Sequence, residues 1–91
     1  MEISRTKTFD KNIKKYSKDK LTIERLKKQI KKIIENPEIG NLLRGERKGE
    51  RKIYIPPFRL LYAYDKKEDI LYLLDFDRRE NIYNKQHGFK R

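Results

Sequence analysis

Cysteine is missing from the 91-residue sequence, which excludes a disulfide framework and any thiolate metal site or nucleophile. A single histidine, His87, excludes a two-histidine metal site and a nuclease built on a histidine pair. No apolar run approaches the roughly 20 residues that a membrane-spanning helix needs. The opening Met1-Glu2-Ile3-Ser4-Arg5 lacks the apolar segment of a secretory signal. These gaps predict a protein of the reducing cytoplasm with no membrane role. Valine is also absent and alanine occurs once, yet leucine, isoleucine and phenylalanine supply 24 of the 91 residues. That share exceeds the roughly 20% typical of disordered chains, and the apolar positions are periodic. The chain is expected to fold around a thin core that gains from a partner's surface.

The pattern changes once along the chain. Met1 to Arg5 reads as a short edge strand anchored by Ile3. Between Thr8 and Lys18, Phe9, Ile13 and Tyr16 form one helical stripe. Leu21 to Glu35 repeats it with Ile23, Leu26, Ile30, Ile33 and Ile34, and Asn36-Pro37 ends the helix. The break at Ser17 to Lys20 makes the two a helical hairpin. Pro37 to Glu50, with Gly40, Gly45 and Gly49, reads as loop. Three runs then take strand character: Lys52 to Ile55, Phe58 to Tyr64 and Ile70 to Phe76, parted by Pro56-Pro57 and by the charged turn Asp65 to Asp69. A tail from Arg78 to Arg91 holds at most a short helical turn. The expectation is one α+β domain over 1–91, β-α-α-β-β-β: strand and hairpin in 1–36, a small, mainly antiparallel sheet in 37–77, and the tail in 78–91.

Charge divides along the same line. Lysine and arginine outnumber aspartate and glutamate 25 to 14, a net charge of +11. Residues 1–36 carry 12 basic and 5 acidic side chains, 10 of the basic ones lysine. Residues 37–91 carry 13 and 9, but 7 of the basic ones are arginine. Lysine on helix faces serves solubility and steering towards a polyanion. Arginine's planar fork grips phosphate or carboxylate, so the sheet half is the better candidate for a specific site.

In that half cations recur beside tyrosines: Arg44, Arg47, Arg51, Lys52 with Tyr54, Arg59 with Tyr62, Arg78 and Arg79 with Tyr83. Such sets bind phosphates and stack on bases. They also describe a basic sheet surface over core tyrosines, and composition does not separate the two. Arg59 paired with Asp75 or Asp77, and Tyr83 packed under the tail, are the corresponding plain readings. RNA cleavage by its own 2′-hydroxyl needs a base, cations for the phosphorane charge and an acid for the leaving oxygen. Arginine stabilises charge but transfers protons poorly; lysine and tyrosine are better suited to proton transfer.

The chain resembles the RelE/ParE toxin superfamily, and more closely its RelE-type mRNA interferases. The likeness rests on the helical hairpin, the Leu43-Arg44-Gly45 step, the strand Phe58-Arg59-Leu60-Leu61-Tyr62, and the closing Arg79 with Ile82-Tyr83. It implies a RelE-like fold and a toxin that cleaves mRNA in the ribosomal A site, with no cofactor or metal. It also implies a cognate RelB-like antitoxin in a hetero-oligomeric complex. By the same resemblance Arg59 polarises the scissile phosphate, and Arg79 stabilises the leaving group or acts as its acid. Tyr83 stacks on a base or assists as general base, and Arg44 supports the phosphate. Lys52, seven residues before Arg59, is the preferred general base. Arg47, Arg51 and Arg78 are the remaining RNA-binding candidates, and Arg78 takes Arg79's role if the register slips by one. Glu50 stands where such toxins often carry a second lysine, and Pro56-Pro57 where they carry small residues. A ParE-like inhibitor of a type II topoisomerase and a non-catalytic RNA-binding protein are the alternatives.

Overall fold

Thr6 decides where the first strand stops and the first helix starts. Its amide donates to Leu73 O (3.1 Å), the last backbone link of β1 (Glu2–Arg5) to β5 (Ile70–Arg78). Its hydroxyl donates to Leu74 O (2.6 Å) and accepts from the Phe9 amide (3.0 Å), capping α1 (Lys7–Lys15). One side chain thus docks the strand edge and opens the helix. The second helix, α2 (Lys20–Glu35), is capped by Asp19, which accepts from the Thr22 amide and hydroxyl (3.1 and 2.7 Å). These bonds, the hydroxyl's first, hold the Asp19 carboxyl below its usual range.

The computed structural model describes residues 1–45 and 49–83, the last of these by its backbone alone. Among the described residues five strands form one sheet in the order β1-β5-β4-β3-β2, with β2 at Asn41–Leu42, β3 at Arg51–Ile55 and β4 at Phe58–Asp65. Only β1 runs parallel to its neighbour; the other pairings are antiparallel. A short α3 (Arg79–Tyr83) follows β5. The expected α+β order is therefore present, with differences at the margins. The stretch read as pure loop contains β2, a two-residue strand too short to show a period. The last strand runs on to Arg78 because Asp75 and Asp77 find partners there. The first helix stops at Lys15, before the expected Lys18. Ile34 is 41% exposed rather than part of the packed stripe, since it sits one 100° step past the buried Ile33. The tail beyond Tyr83 lies outside the described residues.

The sheet has two unlike faces. On the first, Phe9 of α1 and Leu26 and Ile33 of α2 pack against Ile55, Phe58, Leu60, Tyr62, Leu71, Leu73 and Phe76. Phe58 and Phe76 stack at 4.9 Å between ring centres, and Tyr16 meets Phe58 edge-on at 4.7 Å. The second face holds a smaller cluster, Leu61, Ala63, Leu74 and Ile82, flanked by Leu43 and Tyr72. A β-bulge reconciles the two: Leu61 pairs with Asp75 while the next residue, Tyr62, pairs with Leu73. Past it, Phe76 lies opposite Leu60, and Asp77 lies opposite Arg59.

Tyr62 ties the sheet to the loop after α2. Its hydroxyl donates to Pro37 O and accepts from the Gly40 amide, both at 2.8 Å. Burial pushes this phenol's pKa up, against the smaller opposing pull of the Gly40 amide and Arg51. A Cβ on Gly40 would stand 2.8 Å from the Tyr62 ring and 2.9 Å from Lys52 O, so the loop passes where only glycine fits. Replacing Gly40 with alanine is expected to cost about 1–3 kcal/mol by overpacking, read as a lower thermal midpoint.

Tyr16 supplies a second test. Burial and the hydroxyl's bond to Asp77 raise its pKa above the phenol value of 10.0. The unfolded chain sheds this proton near pH 10 while the folded chain keeps it. The contribution is therefore complete below about pH 10 and lost as pH rises through the folded value. A melting series from pH 8 to 11 should fall more steeply in the parent than in Tyr16→Phe.

Candidate nucleic-acid interface

Cross-strand register assembles the second face in rows. In one row Tyr54 of β3, Arg59 of β4 and Asp77 of β5 are direct neighbours. In the adjacent row Lys52 lies opposite Leu61, which lies opposite Asp75. Lys52 and Arg59 are thus diagonal neighbours on adjacent strands, about 7–8 Å apart at the backbone, close enough for two long cationic side chains to meet one phosphate. The Arg59 guanidinium lies over the Tyr54 ring, 5.1 Å from its centre. Its Nε is shut off from solvent, whereas Tyr54 is 59% exposed.

The inner ends of these rows are anchored by α1. Asn12 Nδ2 donates to Asp75 Oδ1 and the Tyr16 hydroxyl donates to Asp77 Oδ1, each at 2.6 Å. Asp77 Oδ1 also accepts from the Arg78 amide (2.8 Å) and Asn81 Nδ2 (3.0 Å). Both carboxylates are buried, and hydrogen bonding offsets the cost of burying them. The second of them fixes the turn from β5 into α3. Ile82, 1% exposed, packs α3 onto Leu61, Ala63 and Leu74. Arg79, the first residue of α3, is thereby held beside the second face and exposed.

Not every candidate arrives there. Arg44 does lie near: it is exposed in the loop beyond β2 and lines a hollow of about 620 Å³ with Leu42, Leu43, Gly45 and Gly49. Gly45 and Gly49 take φ of 73° and 96°, conformations that favour glycine and let this loop turn. Arg51 falls on the first face, opposite Tyr62, where it donates to Glu38 O (3.1 Å) and Gly40 O (2.8 Å). Arg78 lies opposite Phe58, with its guanidinium 5.8 Å from that ring's centre, again on the first face. The register therefore brings Lys52 and Arg59 to one side, with Arg79 opening the helix packed there, and leaves Arg51 and Arg78 on the other. Arg47 lies outside the described residues, and Tyr83 is described only as the last backbone position of α3. Glu50, two residues before Lys52, is fully buried.

Sequence reading overlooked Tyr54 as more than a neighbour of Lys52, and overlooked the partners of Asp75 and Asp77. Leu-Asp-Phe-Asp in an otherwise apolar strand was the available signal, since buried carboxylates require donors. Among the described residues no group of three or more His, Cys, Asp or Glu could hold a metal ion, and no helix is long and apolar enough to cross a membrane.

Comparison with known proteins gives a consistent set. Residues 3–83 match the profile of a family described as ParE toxin of type II toxin-antitoxin system, parDE. A relative from Methanocaldococcus jannaschii, described as "Putative toxin RelE4", is 31% identical over 91 residues, spanning 98% of this chain and 97% of its own. The YoeB/ParE toxin from Agrobacterium tumefaciens superposes with a TM-score of 0.80 at 15% identity, over 87% of this chain and 99% of that one. A chain of the toxin-antitoxin complex RelBE2 from Mycobacterium tuberculosis does so with 0.71 at 23%, over 86% and 96%.

If Ile82 holds α3 in place, Ile82→Ala should release it locally. Hydrogen exchange should show protection lost over residues 79–83 and retained in β4 and β5.

Proposed function

Since the chain belongs to the ParE toxin family, within the RelE/ParE superfamily of type II toxin-antitoxin toxins, we propose that it is a ribosome-dependent endoribonuclease acting on mRNA. The observation that carries this reading is the register that makes Lys52 and Arg59 diagonal neighbours on one face, with Arg79 opening the helix packed there. A mere basic surface requires no such convergence, and the two arginines on the opposite face have structural uses of their own.

In this reading the RNA's 2′-oxygen attacks the adjacent phosphorus and the bond to the 5′-oxygen breaks. The products are a 2′,3′-cyclic phosphate and a 5′-hydroxyl. Lys52 accepts the 2′-hydroxyl proton. Arg59 donates hydrogen bonds to the non-bridging oxygens as charge grows on the phosphorane. Arg79 steadies the departing 5′-oxygen, which takes up one proton from solvent. Arg44 approaches the backbone from its loop, and Tyr83, by the family resemblance, stacks on a base or assists as general base. Restraint comes from a cognate RelB-like antitoxin, acidic enough to answer a net charge of +11. The chain acts in the cytoplasm, where its ribosome is.

The family profile is described by ParE, and a ParE-like topoisomerase inhibitor with no nuclease activity is the competing reading. Toeprinting on programmed ribosomes separates the two. Purified protein should produce A-site cuts, weakened about 100-fold or more in Arg59→Ala and Lys52→Ala. Intact mRNA on saturated ribosomes, with gyrase supercoiling inhibited instead, would establish the competitor.

A further inference from the structure

Tyr54 has no part in the chemistry above, yet it is the residue on which Arg59 rests. The two are direct cross-strand partners, and the guanidinium centre stands 5.1 Å from the ring centre. On the far side of Arg59 in the same row is Asp77, buried and accepting from Tyr16, Arg78 and Asn81. Two positions along β4 on the same face is Leu61, closed over by Ile82. Arg59 thus leaves the sheet between an aromatic plate and a fixed carboxylate strand position, with its Nε out of solvent.

We propose that Tyr54 is a positioning residue for Arg59, holding the guanidinium over its ring so that the fork is set before a phosphate arrives. This rests on the nuclease reading for its consequence, though not for its geometry. Arginine's side chain has many rotamers, and a fork already held loses less freedom on gripping an anion. The attraction is between the cation and the ring's π face, so it needs the ring and not the hydroxyl. Phenylalanine therefore substitutes for Tyr54, and alanine does not. Because β3 carries both Tyr54 and Lys52 on the second face, the strand that supplies the base also aligns the charge stabiliser.

The test is a double-mutant cycle on full-length protein with programmed ribosomes. Tyr54→Ala should lower kcat about fivefold, the upper size of a solvent-exposed cation–π contact, with KM little changed. Tyr54→Phe should match the parent. In an Arg59→Ala background, Tyr54→Ala should cost less than about twofold, because the group it positions is gone. Equal losses in both backgrounds, or a phenylalanine variant as impaired as the alanine one, overturn the proposal. A second measurement is independent of cleavage: nitrogen-15 relaxation at the Arg59 Nε–H. Its order parameter should lie near about 0.85 in the parent and Tyr54→Phe, and below about 0.6 in Tyr54→Ala. If no mRNA is cut but Arg59 loses order without the ring, the nuclease reading falls and the positioning stands. An Arg59 equally ordered in Tyr54→Ala removes the positioning whatever the ribosome assay shows.

Discussion

The structure depends on a coincidence of two periods. Four residues along an α-helix advance about 6 Å, and two along a strand advance about 6.7 Å. Asn12 and Tyr16 are separated by the first interval and Asp75 and Asp77 by the second, so both donor–acceptor pairs close at 2.6 Å. This match lets α1 seal the part of β5 that β1 does not reach, for β1 pairs only as far as Leu73. It also lets two carboxylates remain in a buried strand. Because Asp77 also accepts from Arg78 and Asn81, the same carboxylate links α1 to the turn that opens α3.

The cationic face inherits its order from that arrangement. Lysine on the helices is distributed by solubility, and most of it is exposed. The face's basic residues are instead set by β-sheet register: Lys52 and Arg59 are diagonal because β3 and β4 pair 52 with 61 and 54 with 59. A shift of one residue in β3 would exchange Lys52 and Tyr54 for Arg51 and Ile53. Arg51 avoids competing for the face because its fork is occupied by the carbonyls of Glu38 and Gly40. In this way one strand serves both the loop beneath and the face above.

How much of this was legible in the sequence varied with the range of the interaction responsible. The helix stripe through Phe9, Ile13 and Tyr16 and the stop at Asn36-Pro37 are local, and both could be read directly. The strands at 52–55, 58–64 and 70–76 announced themselves by composition, and the order along the chain gave the fold class. Asn41–Leu42 could not be recognised, because a two-residue strand exists only through its partner. Of the site, the parity of residues 51 and 52 was readable, but Arg78 and Arg79 were not separable. Their placement depends on the bulge at Leu61/Tyr62, and a bulge leaves no periodic trace. The Tyr54–Arg59 contact was likewise hidden, since it requires knowing which residue faces which across the hairpin.

The same bulge makes the sheet self-checking. Were β4 and β5 paired without it beyond Tyr62 and Leu73, Asp75 would fall opposite Leu60 and Phe76 opposite Arg59. Asp77 would then follow Asp75 onto the apolar face that carries Phe58 and Phe76, and the present 12–75 and 16–77 pairs would lose their geometry. Two carboxylates without donors there would cost several kcal/mol apiece. Acidity inside this strand therefore acts as proofreading: the misaligned sheet is excluded by its own charge.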